Sequence, residues 1–255
     1  TFYSSLKREE IDAALAANES WMAPHHWVPG MSRLVVTIQI WIVQYQGKIV
    51  IIDTGVGNRK QRAHARMDNL NTLFLPWLEA IGAAPDKVTH VVNTHLHQDH
   101  VGWNTQVVDG VNRPTFPNAR YLIPRGDFEH FKKLHENDRK SAGNGFGDSV
   151  MPVVDAGLVD FIDGPSELAD GLTIEQAHGH TPGMVNLYLN SNGQSGAFCA
   201  DLFHSPLQMA LPDLNSPFCV QPDAARKTRR AFLERVADTQ TLVMPMHFGA
   251  LVCGY

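Results

Sequence analysis

Seven consecutive residues, Thr94-His95-Leu96-His97-Gln98-Asp99-His100, constrain this 255-residue chain more than any other stretch. They follow Val88-Thr89-His90-Val91-Val92-Asn93, whose β-branched composition predicts a strand over 88–93. In extended backbone alternate residues point the same way, so His95 and His97 share a side. A turn after them lets Asp99 and His100 face a second point nearby. The segment can therefore serve two metal ions, and at this chain's His and Asp content the pattern arises by chance with a probability on the order of 0.002. Solvated histidines on a polar loop are the alternative reading, and the apolar strand leading into the cluster argues against it.

These four side chains cannot fill two coordination shells, so further ligands are expected at other strand ends. His180 lies in Gly179-His180-Thr181-Pro182-Gly183, after a strand at 172–177. Asp201 follows Ala197-Phe198-Cys199-Ala200, and His247 follows Leu242-Val243-Met244-Pro245-Met246. Open sheets place their sites at the carboxyl ends of strands. Composition agrees, with 13 His beside only 3 Cys. Cys199, Cys219 and Cys253 form neither a CxxC pair nor a disulfide framework, so imidazole and carboxylate must hold any metal.

Along the rest of the chain, 5–17 reads as a helix capped by Ser4 or Ser5, and 18–33 as a loop. Residues 34–45 and 48–52 form a hairpin through Gln46-Gly47. Helices are expected at 71–83, 126–136 and 223–237, and a flexible loop at 141–147. Further strands fall at 120–123, 158–162, 172–177, 184–189, 196–200 and 241–246, the fourth and fifth joined through Asn192-Gly193, and a long Pro-rich loop spans 202–221. Hairpins mixed with helices favour an α/β arrangement with two stacked mixed sheets of about ten strands.

The order His-x-His-x-Asp-His, Gly-His-Thr-Pro-Gly, Asp, His resembles the metallo-β-lactamase superfamily, and Asp53-Thr54-Gly55 matches an early motif of that family. The resemblance covers about residues 34 to 249 and implies an αββα sandwich with its site at one edge of the two sheets. It assigns one metal to His95, His97 and His180 and a second to Asp99, His100 and His247, with Asp201 bridging. Asp53 would orient a histidine ligand, or else simply serve its turn. Such nitrogen-rich ligands favour two Zn²⁺ per chain, with Mn, Fe or Co able to enter.

His97 differs from the Glu of the flavin-coupled diiron members, and Asp201 from the Cys or Ser of the best-known zinc β-lactamases. The chain looks most like the branch of acyl-homoserine lactonases, which act in quorum quenching, and organophosphate hydrolases. Those lactonases carry Tyr three residues after the bridging Asp, where this chain has His204. The resemblance implies a dinuclear zinc hydrolase that cleaves an ester or lactone through a metal-activated water. Asp99 would pass a proton to the leaving group, and His204 would act as oxyanion donor or general acid. An organophosphate triesterase or hydrolytic dehalogenase would use the same site, and an iron persulfide dioxygenase-like enzyme would need only one metal.

Trp21, Trp27, Trp103, Phe146, Phe203 and Phe218 fall in loops and are candidate walls for a small, apolar substrate, with His25 and His26 beside them. A net charge of −5 argues against nucleic acid, and the basic cluster Arg226, Lys227, Arg229, Arg230 reads as a solvated helix face. No run of about 18 apolar residues predicts a membrane span. A single domain over 1–255 is expected, with a homodimer as the candidate assembly. Few cysteines suit the cytoplasm. The chain opens at Thr1 without Met, so a removed or omitted N-terminal piece is expected and a periplasmic or secreted location stays open.

Overall fold

The computed structural model describes residues 7–138 and 145–255. Helix α1 (Arg8–Met22) comes first, then strands β1 (Trp27–Val28), β2 (Arg33–Leu34), β3 (Trp41–Tyr45) and β4 (Lys48–Ile52). Helix α2 (Phe74–Ala80) precedes β5 (His90–Val92), β6 (Thr105–Val108), β7 (Val111–Pro114) and β8 (Arg120–Pro124). Helices α3 (Arg125–Asn137) and α4 (Met151–Asp155) lead to β9 (Val159–Ile162), β10 (Ser166–Ala169), β11 (Leu172–Gln176), β12 (Val185–Ser191) and β13 (Gln194–Phe198). Helices α5 (Leu207–Ala210) and α6 (Pro222–Val236) and strand β14 (Thr241–Met244) follow. Contacts divide the chain into two compact units, Ile40–Asp163 and Thr1–Gln39 with Gly164–Tyr255.

In the unit Ile40–Asp163, five strands run in the order β3-β4-β5-β8-β9. β3 and β4 are antiparallel, and the other neighbours are parallel. The expected hairpin is there, with Gln46 (φ 49°) and Gly47 (φ 73°) supplying the left-handed pair that a tight two-residue turn needs. Ile51, Val91, Tyr121 and Ile123 are fully buried, as suits parallel strands that read as continuous apolar runs. Each such side chain contributes about 1.5–3 kcal/mol by leaving water. Helix α3 lays Phe128, Phe131 and Leu134 on this core.

Two sequence expectations change here. Residues 141–144 of the expected flexible loop lie outside the described residues, but Phe146–Val150 form a π-helical turn that leads into α4. Phe146, Val150 and Val153 point into the core, and that burial draws the segment into helical backbone. The β6–β7 hairpin is absent from the sequence expectations, because its polar Thr105, Gln106 and Asn112 hide the strand alternation.

In the other unit, five strands run in the order β10-β11-β12-β13-β14, antiparallel except for the parallel pair β13–β14. The Asn192-Gly193 turn joins β12 to β13 as expected (φ 51° and 75°). Both large sheets are therefore mixed. Helix α1 starts at Arg8, and the Lys7 backbone N–H donates to the Glu10 carboxylate at 2.9 Å. The expected caps Ser4 and Ser5 lie outside the described residues. The helix runs past residue 17 to Met22, because Ile11, Leu15 and Met22 pack on Leu207 and Leu214. Trp21 therefore sits in a helix turn, not a loop.

The run 34–45 is not one strand. Between β2 and β3 the backbone N–H groups of Thr37 and Gln39 donate to the carbonyls of His247 (3.2 Å) and Met246 (2.8 Å). The basic cluster on α6 also divides. Arg230 is solvated and pairs with Asp213, but Arg229 is fully buried on the face shared with Ala225 and Phe232. Helical spacing turns that one position inward. Among the described residues no helix is long and apolar enough to cross a membrane.

Candidate metal centre

In the unit Ile40–Asp163, the cluster is built on the loop after β5. Asp53 follows β4 in the left-handed region (φ 56°), and its backbone N–H donates to the Val92 carbonyl at 2.9 Å. Its carboxylate accepts three hydrogen bonds, from the Thr94 N–H (2.7 Å), Thr94 Oγ1 (2.7 Å) and His100 Nδ1 (2.8 Å). The last contact leaves Nε2 of His100 for a metal, an outer-partner arrangement common at metal-binding histidines. Complete burial pushes the Asp53 carboxyl up, while His100 and Thr94 pull it back. His95 Nε2 lies 3.1 Å from His97 Nδ1, and the His95 and His100 rings are 4.0 Å apart at their centroids. His95 and His100 are buried, and His97 and Asp99 are half-buried.

Two backbone devices hold this loop. The Leu96 N–H donates to buried Asp127 at 3.0 Å. Asp127 escapes sequence reasoning, since its only signal there is an acid in the first turn of α3. Gly102 lets the loop press on the Asp-Thr-Gly segment: a Cβ there would fall 1.9 Å from the Val56 carbonyl. Its N–H donates to the Gly55 carbonyl at 2.7 Å.

In the other unit, Asp201 sits in a 3-10 turn, Ala200–Leu202, after β13. Three imidazoles converge on its Oδ2: His180 Nε2 at 3.2 Å, His204 Nε2 at 3.2 Å and His247 Nε2 at 3.1 Å. All four residues are buried. His247 Nδ1 lies 2.7 Å from the Thr37 carbonyl, which fixes its ring. His180 follows Gly179, whose φ of 136° and close approach to α6 leave no room for a side chain. The Cys219 Sγ stands 3.6 Å from His180 Nδ1, another neighbour that the sequence does not single out.

The remaining expected residues separate by burial. Trp27, Trp103, Phe146 and Phe203 are buried, with Trp103 against Phe74 and Phe203 against Phe232. Trp21 and Phe218 are 46% and 56% exposed. His26 Nδ1 accepts the Gly249 N–H at 3.2 Å, which gives it a structural role. The donor chemistry fits a divalent metal such as zinc, since each unit gathers buried imidazoles and a carboxylate within reach of one point.

A family model described as the metallo-beta-lactamase superfamily matches residues 34–247, most of the chain. The chain belongs to the metallo-β-lactamase superfamily. An N-acyl homoserine lactonase of Bacillus thuringiensis is 25% identical over 120 residues, which are 47% of this chain and 40% of the relative. The matching segment thus spans less than half of that relative's length. Among solved structures, AidC, a dizinc quorum-quenching lactonase in complex with a product, is 22% identical with a TM-score of 0.75, over 98% of this chain and 83% of its own. The hydrolase AbOPH of the beta lactamase superfamily is 19% identical with a TM-score of 0.78, over 100% and 84%. The metallo-β-lactamase fold, with two mixed sheets flanked by helices, is thereby established for this chain.

Proposed function

We propose that this protein is a metal-dependent hydrolase that opens an ester or lactone bond in a small, largely apolar substrate. The observation that carries the reading is the convergence of three imidazoles on Asp201 Oδ2, beside family membership. By the family resemblance, His95, His97 and His180 would hold one zinc ion, Asp99, His100 and His247 would hold a second, and Asp201 would serve both. Bound zinc lowers the pKa of water towards 7 and polarises a carbonyl oxygen.

The chain's own residues then have separate roles. Asp53 would keep the proton of His100 on Nδ1, and the Thr37 carbonyl would do the same for His247, which makes Nε2 the lone-pair atom of each ring. Asp99 is half-buried, and its carboxylate can carry a proton to the leaving oxygen. Trp21 and Phe218, both exposed, would be the aromatic rings open to an acyl group. Lactone preference is supported by the N-acyl homoserine lactonase and AidC likenesses.

A hydrolysis panel on zinc-loaded protein tests this reading. It contains acyl-homoserine lactones, aryl esters, a phosphotriester, a β-lactam and a chlorinated aromatic. Lactones or esters should turn over fastest, and His97→Ala or Asp201→Ala should lose at least ~10³-fold. One iron and no zinc per chain, or variants with full activity, would sink the assignment.

A further inference from the structure

The sequence suggests a hydrogen-bond donor at position 204. The geometry gives that residue a different role, and we infer that His204 is itself a metal ligand, through Nε2, to an ion held at Asp201. The inference rests on the reading that this chain binds metal, and it adds an imidazole to the family-derived ligand set.

Position is the first argument. His204 Nε2 lies 3.2 Å from Asp201 Oδ2, the same spacing as His180 (3.2 Å) and His247 (3.1 Å). Atoms sharing one ion at 2.0–2.2 Å stand about 2.9–3.5 Å apart, across cis octahedral or tetrahedral angles. One carboxylate oxygen offers two lone pairs, so hydrogen bonding to Oδ2 does not account for three imidazoles at this spacing. Cations seated at Oδ2 do, one towards His180 and one towards His204 and His247. The donor atoms of Asp201, His204 and His247 also lie within 4.8 Å of one another.

Rigidity is the second argument. The His204 ring stacks on His247 with centroids 5.1 Å apart and planes 11° from parallel, and it lies 5.0 Å from the His180 ring. Its backbone N–H donates to the Gln208 side chain at 2.6 Å, and Gln208 in turn donates to the Leu214 carbonyl at 2.8 Å. Phe203 on one side and Leu207 on the other are fully buried. At 3% exposed, the imidazole is placed as its two neighbours are, among ligands and away from solvent.

The test uses the full chain loaded with Co²⁺, read without reference to turnover. Proton NMR of Co²⁺-protein shows one strongly shifted, exchangeable Nδ1–H signal for each imidazole bound through Nε2. Wild type and His204→Gln are compared, together with chelator-competition titrations for Co²⁺ and Zn²⁺. The expected result is the loss of one shifted signal and at least a 100-fold weaker affinity for one ion in His204→Gln. If His204→Gln misfolds, selective ¹⁵N labelling of histidine in the wild type gives the same count directly. Unchanged signals and affinity in a folded His204→Gln, or a wild-type count that leaves His204 unshifted, overturn the inference while leaving the hydrolase reading intact. A wild type that takes up no metal overturns both.

Discussion

Asp53 and His100 are joined by a 2.8 Å hydrogen bond between a fully buried carboxylate and Nδ1 of a fully buried imidazole. The same carboxylate holds both the N–H and the hydroxyl of Thr94, one residue before His95. One acid therefore positions both His100 and the residue before His95. Replacing Asp53 should weaken metal binding by about 10–100-fold. Asp53→Asn is the cleaner variant, because Asn tolerates the left-handed backbone at φ 56°. A chelator-competition titration checks it, and an unchanged affinity would show that Asp53 serves only its turn.

Gly179 precedes His180, and a Cβ there would lie 2.2 Å from the backbone nitrogen of Ala225. Neither partner is a flexible side chain, so relief requires moving α6 or the His180 loop. Gly179→Ala should cost about 2–4 kcal/mol of stability. Metal binding should fall with it, since His180 would be displaced. Denaturant melts of metal-free protein and metal titrations of the folded fraction measure the two effects separately.

Arg229 is buried within the unit that carries His204. Its guanidinium donates to the carbonyls of Leu202 and Pro212, both at 2.7 Å, and to Asn215 at 3.3 Å. Those contacts tie the ends of the stretch from Leu202 to Asn215. Arg229→Met should lose at least ~3 kcal/mol, since it strands carbonyls that now accept charged hydrogen bonds. Arg230→Met, on the solvated face, should change stability little. Equal midpoints for the two variants would contradict the assignment.

Burial holds the His26 imidazole below its ordinary value, and the neighbouring His25 adds to the effect. The unfolded chain then takes up a proton near pH 6.5 that the folded chain resists. Unfolding is accompanied by proton uptake in that window, so His26 contributes stability above about pH 6.5 and loses it as pH falls. His26→Asn keeps an acceptor for the Gly249 N–H without a titrating group. Its denaturation midpoint should fall less between pH 7 and 5 than the wild type's. Parallel pH profiles would remove His26 as the cause.

The candidate ligand positions could be picked out because each is announced locally. His95, His97, Asp99 and His100 share one short segment, and His180, Asp201 and His247 each follow an apolar run. The Gln46-Gly47 and Asn192-Gly193 turns were legible for a similar reason, since only a few residue types accept left-handed backbone. Asp127 and Arg229 were not. A buried acid and a buried base read like any surface charge until the element behind them is known.

The aromatic residues mark the same boundary. Trp21 and Trp27 stand in one stretch of sequence, yet Trp21 is half exposed and Trp27 is packed among Leu15, Met22 and Leu207. Hydrophobicity says that a ring gains by leaving water, but not which neighbour covers it. The sequence by itself determined the mixed-sheet class, the family and the His/Asp donor set of the candidate metal centre. Only the tertiary structure decided that His204 stands as close to Asp201 as His180 and His247 do, because residues at 180, 201, 204 and 247 meet through three separate strand ends. Local pattern records which side chain is present. Distance between chain-remote atoms is set by packing.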